Sequence, residues 1–110
     1  MKAETRVIGI DDGNTRLRRR LAVGVVFRGS LWLDGVVTSV IDVTARSLGK
    51  RLATMVTKSK FYNELRVAIL HGTMLGSMDA TDLMAFRATT KLPTIAILQG
   101  KQIQLARQMV

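Results

Sequence analysis

The sequence predicts an α/β domain in which helices pack on the faces of a mixed β-sheet. Three observations carry that expectation. Apolar residues recur with a period of two early in the chain and of 3.6 later, so strands come first and then alternate with helices. Two strand-like runs lie close together before the first helix, which makes an antiparallel hairpin the economical start. And 110 residues, 47% hydrophobic with one Pro, suffice to bury one core and are too few for two.

Arg6 to Asp11 (RVIGID) is short and rich in β-branched residues, and it ends in the turn-forming cluster Asp11-Asp12-Gly13-Asn14. Thr15 to Arg20 (TRLRRR) reads as a basic connection, and Leu21 to Arg28 (LAVGVVFR) as the second strand. Gly29-Ser30 and Asp34-Gly35 flank Leu31-Trp32-Leu33 in a longer loop, after which Val36 to Val43 (VVTSVIDV) forms the third strand. From Thr44 to Lys58 the apolar residues Ala45, Leu48, Leu52, Met55 and Val56 fall at helical spacing. Asp42 or Thr44 can cap the start of that helix; Gly49 inside it costs about 1 kcal/mol relative to Ala.

Leu65 to Leu70 (LRVAIL) is a nearly continuous apolar run, of the kind buried on both faces of a parallel sheet, and His71-Gly72 ends it. Asp79 or Thr81 opens a second helix through about Thr89, with Leu83 and Phe86 facing inward. Pro93 cannot continue a helix, so Thr94 to Leu98 (TIAIL) is a fifth strand. Lys101 to Val110 reads as a closing helix with Ile103, Ala106 and Val110 on one face. The resulting order, β-β-β-α-β-α-β-α, is that of the ribonuclease H-like fold, in one domain spanning residues 1–110. A fold by itself does not fix a function.

Charge narrows the choice. Seventeen Lys and Arg against eight Asp and Glu give +9, with twelve of the basic residues in positions 1–60. A domain so charged attracts polyanions, and arginine, the commoner cation here, suits phosphate with its planar fork. Candidate nucleic-acid contacts are Arg16, Arg18, Arg19 and Arg20, then Arg28 beyond the following strand. Arg46, Lys50 and Arg51 on the first helix and Lys58 and Lys60 at its end complete the set. If about six of these neutralise phosphates, the log–log salt slope is roughly −4 to −5. Trp32, Tyr62 and the three Phe are scattered and read as core, which disfavours a stacking platform for single strands. Structured RNA, recognised by backbone and shape, is the expected partner.

The absence of Cys excludes disulfides, thiolate metal sites and a Cys nucleophile. The best apolar run, Leu21 to Phe27, is strand-sized, and MKAETRVIGIDDG has no signal-peptide pattern. A cytoplasmic protein with no membrane partner is expected.

Several segments together resemble the archaeal endonuclease dU family, relatives of endonuclease V. They are VIGIDDG (Val7–Gly13), GVVFRG (Gly24–Gly29), LDGV (Leu33–Val36), DVT (Asp42–Thr44), SKF and ELR (Ser59–Phe61, Glu64–Arg66), and Asp82-Leu83 followed by Lys91-Leu92-Pro93. The resemblance implies a ribonuclease H-like fold, action on nucleic acid and, in active members, carboxylates holding Mg²⁺. It matches Asp11 to the family's first metal-binding aspartate and makes Asp82 a further metal candidate. Asp12 follows Asp11 on the opposite side of the pleat.

Phosphodiester cleavage of this kind needs converging carboxylates on an oxygen-coordinated Mg²⁺. Three features depart from that pattern. His71 stands where a nuclease of this fold commonly places a carboxylate, either as a general base or as a strand-end hydrogen bonder. The family's Gly-Phe-Asn segment appears only as Gly76-Ser77-Met78, and family members continue well beyond this chain, so the domain reads as C-terminally shortened. The first expectation is therefore binding without cleavage and without a required cofactor, as a small basic component of a ribosome or other ribonucleoprotein, in contact with rRNA and ribosomal proteins. The alternative is a Mg²⁺-dependent endonuclease acting on deaminated bases, with Asp11, Asp12 and His71 as catalytic candidates.

Overall fold

Alternating apolar residues build the first part of the chain into an antiparallel meander. In the computed structural model, which describes residues 5–12, 19–29, 32–42, 47–71, 78–98 and 101–104, strand β1 is Arg6–Asp11, β2 Arg19–Arg28 and β3 Trp32–Asp42. Helix α1 (Leu48–Thr57), β4 (Leu65–Leu70), helix α2 (Ala80–Thr90), β5 (Thr94–Leu98) and β6 (Lys101–Gln104) follow. The strands form one sheet in the order β3-β2-β1-β4-β5-β6. β2 runs antiparallel to β1 and β3, whereas β4 is parallel to both β1 and β5. This is the expected ribonuclease H-like mixed sheet, except in its last element.

That element is a strand. Lys101–Gln104 pairs antiparallel with β5, from Leu98↔Lys101 to Ile95↔Gln104, where the spacing of apolar residues suggests a helix. The exposed edge of β5 offers a ready ladder of backbone partners, and Lys-Gln-Ile-Gln alternates as well as it spirals. The remaining positions of the expected helix, 105–110, lie outside the described residues.

The hairpin is also tighter than its turn residues suggest. β2 starts at Arg19 and β3 at Trp32, with Arg28 directly opposite Trp32. Thr5 O accepts the backbone N–H of Gly29, which takes φ 65° at the turn. Asp34 is absorbed as a bulge, since Val26 pairs with Gly35 and Phe27 with Leu33. Gly35 leaves room for the Phe61 ring, 2.3 Å from where a Cβ would stand. Helix α1 begins at Leu48 after Ser47, later than expected, and without a side-chain cap; Asp42 ends β3 instead of capping, and Thr44 and Ala45 lie outside the described residues.

One face of the sheet holds the core. Ile8 and Ile10, Ala22 and Val26, Ile41, Ala68 and Leu70, and Ala96 meet Leu48, Leu52 and Val56 of α1 and Leu83 and Phe86 of α2. β4 is buried on this face only: Val67 and Ile69, on the other, stay partly exposed. Double-sided burial, expected from its apolar run, is absent because both helices contribute to the same core.

The helices meet at Gly49. A Cβ there would sit 1.9 Å from the Asp82 carbonyl oxygen, so the residue that weakens α1 locally is what lets α2 approach. Asp82 closes the contact. Its Oδ1 accepts the Gly49 N–H at 3.2 Å and its Oδ2 the Asp79 N–H at 3.3 Å, while Asp79 Oδ1 accepts the Asp82 N–H at 2.8 Å. This reciprocal capping box confirms Asp79 as the start of α2. In Gly49→Ala the helix-propensity gain of about 1 kcal/mol is outweighed by an overpacking cost of about 1–3 kcal/mol. The urea midpoint therefore falls; a raised midpoint would show that the helices separate freely.

Candidate active site and nucleic-acid interface

Because β1 and β4 are parallel, their C-terminal ends lie side by side. The His71 backbone N–H donates to Ile10 O at 2.9 Å, extending the ladder by one residue and fixing His71 next to Asp11. Asp11 Oδ1 accepts the Asp12 N–H at 2.6 Å, and Oδ2 lies 3.1 Å from His71 Nδ1. Two residues 60 positions apart thus form a carboxylate–imidazole pair, each about half exposed. An ionised Asp11 favours the tautomer carrying the proton on Nδ1, which leaves the lone pair of Nε2 facing outward. The arrangement can take a proton from water or a hydroxyl.

Asp12 has a different fate. The pleat turns its side chain to the covered face, where it is fully buried and paired with Arg20 at 3.0 Å. Arg20 is the inward neighbour of exposed Arg19 in β2, so the same alternation takes it off the basic surface expected for it. Neither residue stands at the Asp11–His71 pair as a reacting group. Asp82, a metal candidate by resemblance, caps α2 and binds Gly49.

A Mg²⁺ ion requires about six oxygen ligands, several from carboxylates or carbonyls when water does not supply them. The described residues hold no group of three or more acidic, His or Cys side chains placed to bind a metal. Asp34 pairs with Arg6 at 2.7 Å and Arg28 at 3.4 Å, Glu64 pairs with Arg6, and Asp79 and Asp82 cap a helix. One carboxylate beside one imidazole does not make a Mg²⁺ site.

Among the basic candidates, Arg19, Lys50, Arg51, Lys58 and Lys60 are exposed. Arg28 is drawn to Asp34, and Lys60 Nζ lies 5.3 Å from the Phe61 ring centroid. Arg16, Arg18 and Arg46 lie outside the described residues. The structure adds a groove of about 450 Å³ between the edge strand β3 and α1. Arg51, Thr54 and Lys58 line one side, Thr38 and Ser39 the other, and no carboxylate is among its lining residues. Cations interleaved with hydroxyls suit phosphate oxygens. The hydroxyl residues were legible only as polar interruptions in an apolar strand and an amphipathic helix. Trp32, read as core, is instead 65% exposed at the start of β3.

Sheet order and one-sided helices define a ribonuclease H-like mixed α/β fold. The chain belongs to the endonuclease dU family, whose model matches residues 3–109. It is 37% identical over 102 residues to a UPF0215 protein of Methanothermobacter thermautotrophicus, covering 90% of this chain and 50% of that one. A UPF0215 protein of Methanopyrus kandleri is 37% identical over 103 residues, 92% of this chain and 52% of its own. Among solved structures, a protein of unknown function from Archaeoglobus fulgidus superposes with a TM-score of 0.71 at 29% identity, over 88% of this chain and 55% of that one. Human endonuclease V shares the fold, with a TM-score of 0.56 at 17% identity over 88% of this chain and 49% of its own. The chain thus spans about half the length of the relatives it matches.

Two outcomes test this placement. Asp12→Asn removes one charge of a buried ion pair, so thermal unfolding should reveal a loss of about 3–5 kcal/mol; a near-neutral effect would place the pair in water. Replacing Arg51 and Lys58 together by Glu should weaken binding to a nucleic-acid duplex at least tenfold at moderate salt. It should also lower the log–log salt slope by roughly 2, about one for each phosphate no longer neutralised. An unchanged slope excludes the groove from the interface.

Proposed function

We propose that this chain binds nucleic acid and contributes Asp11 and His71 to the cleaving centre of an endonuclease of the dU type. The observation that supports it is the pairing of those two side chains at the ends of adjacent parallel strands, in a chain whose family is defined by endonuclease activity in name. Asp11 orients the imidazole; Nε2 of His71 accepts a proton as water attacks the phosphodiester, the P–O bond to the leaving nucleoside oxygen breaks, and that oxygen takes a proton from solvent; exposed cations on and just beyond α1, with the hydroxyls of β3, hold the backbone. Mg²⁺ would supply charge neutralisation at the scissile phosphate, but needs oxygen ligands beyond those the described residues offer. Deaminated bases are the substrate class the family name suggests. The family match favours cleavage over the ribosomal role that charge alone suggests, with DNA and RNA both open as substrates. Among the described residues no helix is long and apolar enough to cross a membrane, and the proposed setting is the cytoplasm.

The test uses uracil- and inosine-containing strands, single and duplex, with and without Mg²⁺. They are offered to this chain and to the same chain extended by the unmatched half of the Methanothermobacter relative. Asp11→Asn and His71→Ala should each lower cleavage by about 10²–10⁴-fold, the usual worth of a positioned proton-transfer group. Cleavage by neither protein, or cleavage indifferent to Asp11→Asn, refutes the reading.

A further inference from the structure

The sheet ends on one side at β3, and among the described residues no backbone group hydrogen-bonds to the outer edge of that strand between Gly35 and Ile41. Edge strands are commonly guarded by a lysine, a proline or an inward-turned charge. Gly35 to Ile41 (GVVTSVI) has none of these. The stretch is uncharged and rich in β-branched residues, the composition that pairs most readily with another strand.

The pattern of this edge names its partner. Val36, Thr38 and Val40 form the exposed row of β3, while Val37, Ser39 and Ile41 turn to the covered face. The exposed row reads the same in both directions about Thr38. An antiparallel copy related by a two-fold axis through Thr38 sets Val36 against Val40 and Thr38 against Thr38, cross-strand pairs of the kind that stabilise sheets. Moving the axis by one residue sets Val40 against Asp34 or Val36 against Asp42. The bulge at Asp34 ends the matched stretch on one side.

We infer that two copies of this chain join edge to edge through β3, making one continuous sheet about a two-fold axis at Thr38. The axis stands across the sheet, so both copies keep α1 on the same side. In each copy the groove lies beside this edge, with Arg51, Thr54 and Lys58 of α1 facing Thr38 and Ser39 of β3. The joined grooves form one cleft with two Arg51 and two Lys58 along it, a surface for phosphates that neither copy has alone. Repulsion between two chains of net charge +9 opposes the pairing, and salt or a bound polyanion relieves it. The pairing stands apart from the proposed cleavage; the shared cleft rests on the nucleic-acid reading.

The chain has no cysteine, so Thr38→Cys carries a single thiol. Across the axis the two Cα atoms stand about 4.5–5.5 Å apart, within a disulfide's reach. Mild oxidation should convert most of this variant into a covalent dimer. Val36→Cys and Val40→Cys should each cross-link at least tenfold more slowly alone, and readily when mixed. In light scattering the unmodified chain should shift from monomer toward dimer as salt rises. Thr38→Lys changes an exposed residue at the point where two like charges would meet; it should stay monomeric with its circular dichroism and Tm unchanged. A monomer at every salt and protein concentration overturns the proposal. So does a dimer that survives Thr38→Lys, or one that cross-links equally from all three positions. Cross-linking lost when the chain is joined to the unmatched half of the Methanothermobacter relative gives the edge to that half and overturns the second copy. The oxidised Thr38→Cys dimer should bind a nucleic-acid duplex with roughly twice the log–log salt slope of the unmodified chain diluted to monomer; an equal slope overturns the shared cleft.

Discussion

The pairing of β1 with β4 is the contact on which the rest of the structure depends. β1 has an antiparallel neighbour on one side and a parallel one on the other, so the sheet changes character along its length. On the antiparallel side a short connection, residues 12–18, joins the two strands. On the parallel side it must cross over, and α1 is the crossing element that covers the sheet. The same pairing sets the ends of two strands level and places Asp11 and His71 in hydrogen-bonding contact. In open α/β sheets, ligand sites gather where strand order changes direction and at the carboxyl ends of strands. Here the two coincide at Asp11.

Two neighbouring aspartates illustrate how a pleat divides labour. Asp11 turns to the open face and meets an exposed imidazole, whereas Asp12 turns inward and is buried against Arg20. The buried pair fixes the start of β2 to the end of β1, and a buried charge is tolerated only because its partner is held in place. Four further carboxylates are similarly occupied: Asp34 and Glu64 gather Arg6 and Arg28 at the hairpin end, and Asp79 and Asp82 build the start of α2. A chain with eight acidic residues and seventeen basic ones commits most of the former to its own architecture. Arg19, Lys50, Arg51, Lys58 and Lys60 lie exposed on the surface.

The one-sided packing links fold to function. Small residues let the helices sit close on the covered face, most clearly where Gly49 receives the backbone of Asp82. On the other face Leu21, Phe27, Val36 and Val40 are exposed, and among the described residues no helix packs there.

The sequence by itself determined the strands β1, β2, β4 and β5, both helices, the inward set Leu48, Leu52, Met55, Val56, Leu83 and Phe86, the basic character and the family. These follow from period, capping and motif, all of which are local. It also singled out Asp11 and His71 separately. Only the tertiary structure decided that they meet, because that depends on a parallel register between strands some sixty residues apart. It also decided that Asp12 and Arg20 are a buried pair, that Asp82 caps a helix, and that Lys101–Gln104 joins the sheet. Each of those outcomes depends on which partner the fold brings up, from Arg20 eight positions after Asp12 to Gly49 33 positions before Asp82. A residue's own chemistry states what it can bind, and the fold supplies what it finds.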